Sequence, residues 1–433
     1  MYRPFIPLIV VALSLPAHAQ TSASTLSPLP STVGAAPTSP TRLREPAAPL
    51  SLNRALELAF QANPQIHGAR HEFEAVEATV LQANVRPNPT LELIVEDTRR
   101  DTRETTLQVS QPLEFGGKRA RRVQAAERGR DASAEDLRAA MAKVRSGVTI
   151  AFNDVLTAQE KVKLAQESLE VAERVSTTVA KRVQAGKISP VEETRARVSQ
   201  ASVRLELARA RSELASARKS LSAFWGNLTP QFELVVGDLE VLPELHDWAE
   251  LSARLDSTPA LSRARIEVER RRALVGVEQS RRTPDVAFTV GMKRSEELGR
   301  SQAVFGVAVP LPLFDRNRGN VLESLRREDK ARDDLVATET STHNELAEAY
   351  ERLRTARQEA QSLATEILPG ARSAYEAAVK GFDFGKFAYF DVLDAQRTLI
   401  QARTQYLSVL SAARRAAADI DGLLGDTSPA NNK

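Results

Sequence analysis

The sequence predicts a mainly α-helical protein that also contributes a few strands to a membrane β-barrel. Three observations carry this prediction: an export signal, long helical segments with a 3.5-residue apolar repeat, and two β-hairpins that are apolar on one face. Of the 433 residues, 42% are hydrophobic and 27% are charged, which is typical of folded protein. The 59 basic and 56 acidic residues are interspersed, so the net charge of +3 does not indicate a nucleic-acid-binding protein.

The first 19 residues have the pattern of a secretory signal peptide. Arg3 precedes the apolar run Phe5–Leu15, and the small-x-small triplet that follows predicts cleavage after Ala19. The run is too short for a transmembrane helix. Residues 20–49 are rich in Ser, Thr and Pro, and we expect a flexible tether there. The absence of cysteine excludes disulfides and a lipid-modified N-terminal cysteine.

The rest of the chain contains an internal repeat. Asn63-Pro64 recurs as Thr258-Pro259, and the GKISP segment at Gly186 recurs as GKFAY at Gly385, with other landmarks in the same order. Each half is predicted to run helix, strand, hairpin loop, strand, long helix, turn, long helix. The predicted divisions are repeat 1 (50–226), a connector (227–250), repeat 2 (251–425) and a tail (426–433).

The long helices are predicted to pack against one another side by side. From Leu137 to Val183 apolar residues are spaced alternately four and three apart, which indicates a left-handed supercoil with a partner helix. The returning helix has two apolar seams, one through Val191 and Val198 and one through Leu207 and Leu221, so we expect neighbours on both sides. A periplasmic coiled-coil scaffold without a pore explains the seams equally well, but it does not explain the hairpins.

The hairpin strands alternate apolar residues with small or polar ones, and their loops, DTRRDTR and KRSEELGRS, are highly charged. This pattern suits strands of a membrane barrel with a wet interior. A soluble sandwich that rests its apolar face on the helices is the alternative. The predicted apolar face consists of Leu91, Leu93, Val95, Leu107, Val109, Val286, Phe288, Val290, Met292, Phe305, Val307 and Val309.

Four strands cannot close around a lumen, and an open sheet edge in lipid leaves backbone groups unsatisfied at several kcal/mol each. Copies of the chain must therefore share one barrel: two copies would give eight strands and three would give twelve. The small residues on the inward face favour the wider, twelve-stranded channel.

Four segments carry a resemblance to a known family. SLNRALELAFQANPQI (51–66), QPLEFGGKR (111–119), PLPLFDRNRGN (310–320) and GKFAYFDVLDAQRTLIQAR (385–403) resemble the TolC-like outer-membrane efflux proteins. The second and third segments are most similar to the heavy-metal branch of the cobalt-zinc-cadmium type.

The resemblance spans nearly all of residues 50–425. It implies a trimer in the outer membrane of a Gram-negative cell, with a twelve-stranded barrel continued by a long α-helical periplasmic tunnel. The implied partners are a periplasmic adaptor and an inner-membrane pump of the resistance-nodulation-division (RND) class. The implied function is a passive exit duct for heavy-metal cations, with drugs or secreted proteins as the alternative cargo.

Asp391 and Asp394 match the paired aspartates of the family's DVLDA motif, which line the closed periplasmic aperture in related proteins. Two carboxylates at i and i+3 share a helix face, and three chains would bring six of them together, a ring that attracts cations. The alternative is that Asp391 caps a helix and Asp394 is a solvated charge. The first repeat has Glu192 and Arg195 at these positions, so its tip is predicted to be charge-compensated.

Some relatives hold the aperture shut with an Arg and a Tyr, and the matching positions of this chain are Phe387 and Phe382, which predicts a gate of apolar packing. The turns between long helices are the predicted adaptor-docking sites, because glycine permits the reversal and the aromatic residues are unusually apolar for an unpartnered tip. The alternative is that these rings pack the end of the hairpin. The predicted docking residues are Gly186, Lys187, Ile188, Gly385, Lys386, Phe387, Tyr389 and Phe390.

No nucleophile elbow, P-loop or zinc-hydrolase motif is present, so the sequence predicts neither an enzyme nor a cofactor site. His67 and His71 are four residues apart but lack a third ligand, so we predict no resident metal site. The energy for transport must then come from a partner. Pro369-Gly370 is expected to kink or break the long helix that contains it.

Overall fold

The computed structural model describes Glu45, residues 48–97 and residues 99–425. The predicted signal peptide, most of the tether and the tail lie outside these residues. The helices are α1 (Leu52–Ala62), α2 (Pro64–Ala83), α3 (Lys118–Gln184), α4 (Pro190–Ser222), α5 (Trp248–Arg254), α6 (Pro259–Ser280), α7 (Arg318–Ser362), α8 (Leu368–Asp383) and α9 (Tyr389–Leu424). The strands are β1 (Leu50–Ser51), β2 (Thr90–Glu96), β3 (Glu104–Leu113), β4 (Val235–Val236), β5 (Val286–Ser295) and β6 (Arg300–Ala308).

The order α1–α2–β2–β3–α3–α4 recurs as α5–α6–β5–β6–α7–α8–α9. Asn63 and Thr258 cap the N-termini of α2 and α6 with side-chain oxygens, and a proline follows each cap. Among the described helices, none combines the length and apolar character that crossing a bilayer requires.

The helix α3 runs unbroken for 67 residues, about 100 Å at roughly 1.5 Å per residue. The predicted seam faces its neighbours: Val148, Val155 and Val179 are fully buried. One seam of α4 is also covered, since Leu207 and Leu221 are buried. The long helices therefore pack as the spacing of their apolar residues predicts.

The connector between the two repeats is held by one side chain from each of α3, α4, α7 and α9. Each of the four side chains donates to a backbone carbonyl of the connector, and the α3 glutamine also accepts from a backbone amide. These contacts join the long helices at one level, beside the main buried core. The pairs are Gln159 with Val235, Arg218 with Glu233, Arg357 with Pro243, and Arg414 with Val241.

The segment before α1 is fastened to the connector by a buried carboxylate. Glu45 is 2% exposed, and its oxygens accept from Trp225 Nε1 (2.8 Å), Asn227 Nδ2 (2.8 Å) and the Gln231 backbone N–H (2.6 Å). Burial raises the pKa of this carboxyl, but the hydrogen bonds outweigh it and hold the pKa below its ordinary value. The parallel pairing of β1 with β4 extends the attachment.

The four long strands form one antiparallel sheet in the order β2–β3–β5–β6. One row across the sheet is Leu91, Val109, Val290 and Phe305, and these side chains are 72%, 46%, 57% and 78% exposed. The apolar face is therefore uncovered within the described residues, and the predicted alternative of a sandwich resting on the helices is wrong. Within these residues β2 and β6 each pair on one side only, which leaves two open edges.

At the base of the sheet, polar contacts connect the segments that join the strands to the helices. Lys118 at the start of α3 forms a 2.7 Å ion pair with Asp285, which lies just before β5. Asn317, just before α7, donates through Nδ2 to the Glu278 backbone carbonyl at 2.8 Å. These contacts fix how each strand continues into its helix.

The long helix of the second repeat is divided where the first is continuous. A π-helical turn, Leu363–Ile367, separates α7 from α8, and Pro369 is the second residue after it. Proline removes a backbone donor, and a π turn inserts an extra residue into the helical ladder. The interruption predicted at Pro369-Gly370 takes the form of this π turn, which begins at Leu363, and the backbone is α-helical through Pro369 and Gly370.

Candidate functional site

The candidate site is formed by the two turns at the ends of the long helices. In the first turn Gly186 has φ +66°, and the Lys187 N–H donates to the Arg182 carbonyl at 2.9 Å. In the second turn Gly385 has φ +71°, and the Lys386 N–H donates to the Gly381 carbonyl at 2.8 Å. Both are left-handed glycine turns closed by a six-to-one hydrogen bond, so the two tips share one backbone design.

The two tips pack against each other through a small buried cluster. Tyr389 is 4% exposed and Phe382 is 6% exposed, and their ring centroids lie 5.9 Å apart. Ile188 of the first tip packs against the same cluster. The other buried members are Val179, Ala196, Ala378 and Val392.

This burial takes Tyr389 out of the predicted docking surface, as the alternative of rings that pack the hairpin end expects, while the gate role of Phe382 stays a prediction. The sequence assigns Tyr389 to a docking surface, but the side chain lies inside the tip cluster of its own chain. The sequence assigns Phe382 to a gate, and this ring too lies within the cluster. The spacing of apolar residues along one helix cannot distinguish these buried rings from exposed ones, because part of what buries them belongs to the other hairpin.

Arg182, at the end of α3, joins the first hairpin to the second. Its guanidinium carbon lies 4.1 Å from the centroid of the Phe382 ring, and its Nη1 donates to the Phe382 carbonyl at 3.0 Å. Its Nη2 lies 3.9 Å from a carboxylate oxygen of Asp383. A cation over an aromatic face and beside a helix C-terminus is favourable on both counts. The sequence analysis missed this residue, and its only signal was a basic residue in the last turn of a helix.

Three aromatic side chains remain exposed around the second turn. Phe384 is 79% exposed, Phe387 49% and Phe390 60%. The Phe387 ring lies directly over Gly381, in the space that a Cβ at this position would occupy. A side chain at Gly381 would therefore displace the ring. Phe387 and Phe390 are the predicted aromatic docking residues that the structure leaves accessible.

The two predicted aperture carboxylates lie on the first turns of α9, and both are exposed. Asp391 accepts a 2.9 Å hydrogen bond from the Ala388 backbone N–H, so the predicted capping contact is present. A cap uses one oxygen and leaves the charge in place, so a role at an aperture stays a prediction. Asp394 follows one turn later on the same side of the helix.

The equivalent positions of the first tip are paired. Arg195 Nη1 lies 3.0 Å from Glu192 Oε1, as the predicted charge compensation requires. The other oxygen, Glu192 Oε2, is buried without a hydrogen-bond partner among the described residues. Burial, with a smaller contribution from the Glu192 charge, raises the pKa of Tyr389 to about 12. The first tip thus places a carboxylate near the buried phenol of the second.

The histidine pair considered for a metal makes ordinary local contacts. His67 Nε2 lies 3.0 Å from the Gln61 carbonyl, and His71 Nδ1 lies 3.2 Å from Glu74. Within the described part of the chain, no three His, Asp or Glu side chains are arranged to hold a metal ion.

Comparison with known proteins gives matches over most of the chain. The family model described as outer membrane efflux protein matches residues 55–227 and 251–426. The cobalt-zinc-cadmium resistance protein CzcC of Cupriavidus metallidurans is 45% identical over 382 residues, which are 88% of this chain and 91% of CzcC.

Solved structures show the same fold at low sequence identity. A crystal structure of CusC superposes with a TM-score of 0.76 at 19% identity, covering 86% of this chain and 91% of CusC. The CmeC outer membrane channel of Campylobacter jejuni superposes with a TM-score of 0.74 at 18% identity, covering 86% of this chain and 85% of CmeC.

Proposed function

The chain belongs to the outer membrane efflux protein family, and we propose on that basis that it is the passive exit duct of a tripartite heavy-metal efflux system. Its place is the outer membrane. The duct itself supplies no energy, so an inner-membrane RND pump drives transport and a periplasmic adaptor joins pump to duct.

The observation that carries the proposal is the exposed apolar face of a sheet with two open edges. Rows of exposed Leu, Val and Phe side chains suit contact with lipid, while Thr, Ser and Gly on the other face suit water. Backbone groups at a sheet edge must be paired inside lipid. Three copies, with β6 of one paired to β2 of the next, would form a closed barrel of about twelve strands with room for a channel.

Exposed apolar seams on the helices support the same assembly. Val191, Val198 and Leu205 form the second seam of α4 and are 56–64% exposed. On α7, Leu322 and Val336 are 55% and 61% exposed. Because a seam with a 3.5-residue repeat requires a partner helix, we assign these two faces to contacts between neighbouring copies in a homotrimer.

The tips are the part of the chain that we assign to the adaptor. Phe384, Phe387 and Phe390 expose aromatic surface around a tight turn, and aromatic residues are enriched at protein interfaces. The lysines Lys187 and Lys386 flank the turns. An adaptor with an apolar, acidic docking surface fits this tip.

The proposed cargo is a heavy-metal cation, because the similar protein CzcC is a cobalt-zinc-cadmium resistance protein. In a trimer Asp391 and Asp394 would place six carboxylates around the axis. Such a ring favours cations without binding them tightly, because each carboxylate stays hydrated. Tight binding would obstruct a duct.

Two measurements test this function. Native mass spectrometry of the detergent-extracted protein should give a trimer, and reconstitution should give discrete single-channel conductance; a monomer without conductance would favour the coiled-coil scaffold. A strain lacking the gene should be sensitive to zinc, cobalt and cadmium, and the wild-type gene should restore tolerance. Unchanged metal tolerance with altered drug tolerance would assign the duct to a different cargo.

A further inference from the structure

We infer that the segment Pro310–Phe314 of one copy lies in a groove between α2, α3 and α6 of the next copy. The segment is called the arm below, and the inference rests on the trimer proposed above. It assigns an interaction site that is incomplete without a neighbouring chain. The argument uses the exposure of the arm, the lining of the groove and the order of the strands.

The arm is the most exposed apolar segment next to the sheet. It follows β6, and Leu311, Leu313 and Phe314 are 73%, 64% and 99% exposed. Asn317 holds the end of the arm through its bond to Glu278, so the arm is fixed at its base while its side chains point away from the chain. Burying an exposed Phe side chain is favourable, so the arm gains from any apolar cover.

The groove is an apolar recess of about 930 Å³ just below the sheet. Ala125 and Val277 form a buried floor, with Leu274 beside them. Val76 and Val85 line the side formed by α2 and by the link to β2. A recess with this lining fits aliphatic and aromatic side chains.

Three of the four arginines that line the groove are already paired, which disfavours an anionic guest; the fourth, Arg86, is exposed in the link before β2. Arg122 binds the Glu114 carboxylate and also donates to the Val85 carbonyl at 3.3 Å. Arg270 lies 3.0 Å from Glu267, and Arg281 lies 2.6 Å from Glu278. These side chains frame the groove and leave its apolar floor as the feature available for contact.

The strand order brings the arm of one copy to the groove of another. Within one chain β2 and β6 lie at opposite edges, separated by β3 and β5, and Phe314, which is 99% exposed, does not enter the groove of its own chain. In the closed barrel β6 would pair with β2 of the next copy, and the two would run antiparallel. The residues that follow β6 then lie beside those that precede β2, and residues 85–88 before β2 line the groove.

The chain contains no cysteine, so an engineered disulfide tests this contact without background. We expect Phe314→Cys combined with Val85→Cys to oxidise into covalent dimers and trimers that a reductant separates. The matched control combines Phe314→Cys with Gln279→Cys, because Gln279 is exposed on another side of α6 and lines a different recess. Each single variant is the second control, and none of the three should cross-link.

Native mass spectrometry of the same double variant separates the two proposals. A trimer that does not cross-link through Phe314 and Val85, or that cross-links equally through Gln279, overturns the arm contact and leaves the duct intact. A monomer overturns the duct and the arm contact with it. Cross-linking confined to the Val85 pair supports the arm contact.

A second variant series gives an independent readout. Phe314→Ser should lower the temperature at which the trimer dissociates in detergent. Phe314→Leu keeps an apolar side chain and should lower that temperature much less. Phe314→Trp in vesicles tests lipid as the cover instead. Quenching by brominated acyl chains beyond the wild-type level would show that the side chain faces lipid and would overturn the inference; no added quenching supports it.

Discussion

The two tips have the same backbone and different side-chain chemistry. At matching positions of the repeat, Arg182 stands in the first hairpin where Gly381 stands in the second, and the ion pair of Glu192 and Arg195 replaces Asp391 and Asp394. The first tip supplies the cation and neutralises its own charges. The second supplies the aromatic surface and two carboxylates without such a pairing. We infer that duplication preserved the turn while the side chains diverged. The first tip supports the second through Arg182, and the second carries the exposed aromatic rings and the two carboxylates.

The helices behind the tips differ in the same sense. Behind the first tip α3 is continuous over 67 residues, whereas behind the second the π turn at Leu363–Ile367 and Pro369 divide the helix. A π turn and a proline are the usual causes of a bend in a helix. The second hairpin is therefore the one that we expect to move relative to the first, and each prediction below tests this difference.

The largest effect is expected from ionisation of the buried phenol of Tyr389. Its pKa is about 12 in the folded protein and about 10 when unfolded, so its contribution is complete below pH 10 and is lost as the pH rises toward 12. This difference corresponds to about 2–3 kcal/mol at high pH. Thermal melts at pH 9 and pH 12 should show that Tyr389→Phe loses less stability than wild type. Equal losses would mean that the phenol is accessible and that the tip cluster is open.

A methyl group at Gly381 should loosen the second tip alone. A Cβ there would overlap the Phe387 ring, and overpacking of this kind costs about 1–3 kcal/mol. Hydrogen exchange of residues 378–392 should accelerate in Gly381→Ala.

The matched control is Gly370→Ala in the same helix. A Cβ at Gly370 meets nothing within 4 Å, so alanine there should stabilise the helix by about 0.5–1 kcal/mol. The same response in both variants would contradict the contact between Phe387 and Gly381.

Removal of Arg182 should separate the two hairpins at the tip. Arg182→Ala loses the contact with the Phe382 ring and the hydrogen bond to its carbonyl, together worth about 1–2 kcal/mol. Exchange should accelerate around Phe382, and the mean open conductance of the reconstituted duct should rise.

Arg204→Ala is the control, because Arg204 of α4 forms an exposed 3.6 Å pair with Glu173 of α3, within the first hairpin and not between the hairpins. Exposed pairs contribute about 0–1 kcal/mol. If both substitutions have the same effect on conductance, the effect does not come from the contact of Arg182 with the second hairpin.

The smallest effect is expected from the carboxylates of the second tip. Asp391→Asn with Asp394→Asn keeps an oxygen for the cap and removes the charge, so the reversal potential in a salt gradient should show a severalfold lower cation preference. Glu192→Gln with Arg195→Gln leaves the net charge of the first tip unchanged and should leave the preference unchanged. A preference that survives in the asparagine variant would remove these residues from the aperture.

Much of the fold follows from local patterns in the sequence. Alternation identified the outward face of every long strand, and four-three spacing identified the seam of α3, because both depend on neighbours close along the chain. The burial of Tyr389 and the reach of Arg182 depend on how one hairpin lies against the other. The local sequence around the second turn does not distinguish the buried ring of Tyr389 from the exposed rings beside it. The strand order β2–β3–β5–β6 likewise depends on contacts between the two repeats.

The buried carboxylate of Glu45 constrains the order in which the chain matures. It accepts a hydrogen bond from Trp225, 180 residues later, so the leading segment leaves the ribosome long before its docking site exists. Contacts of such high sequence separation form late. Docking of Glu45 therefore cannot precede synthesis of the whole first repeat and of the start of the connector.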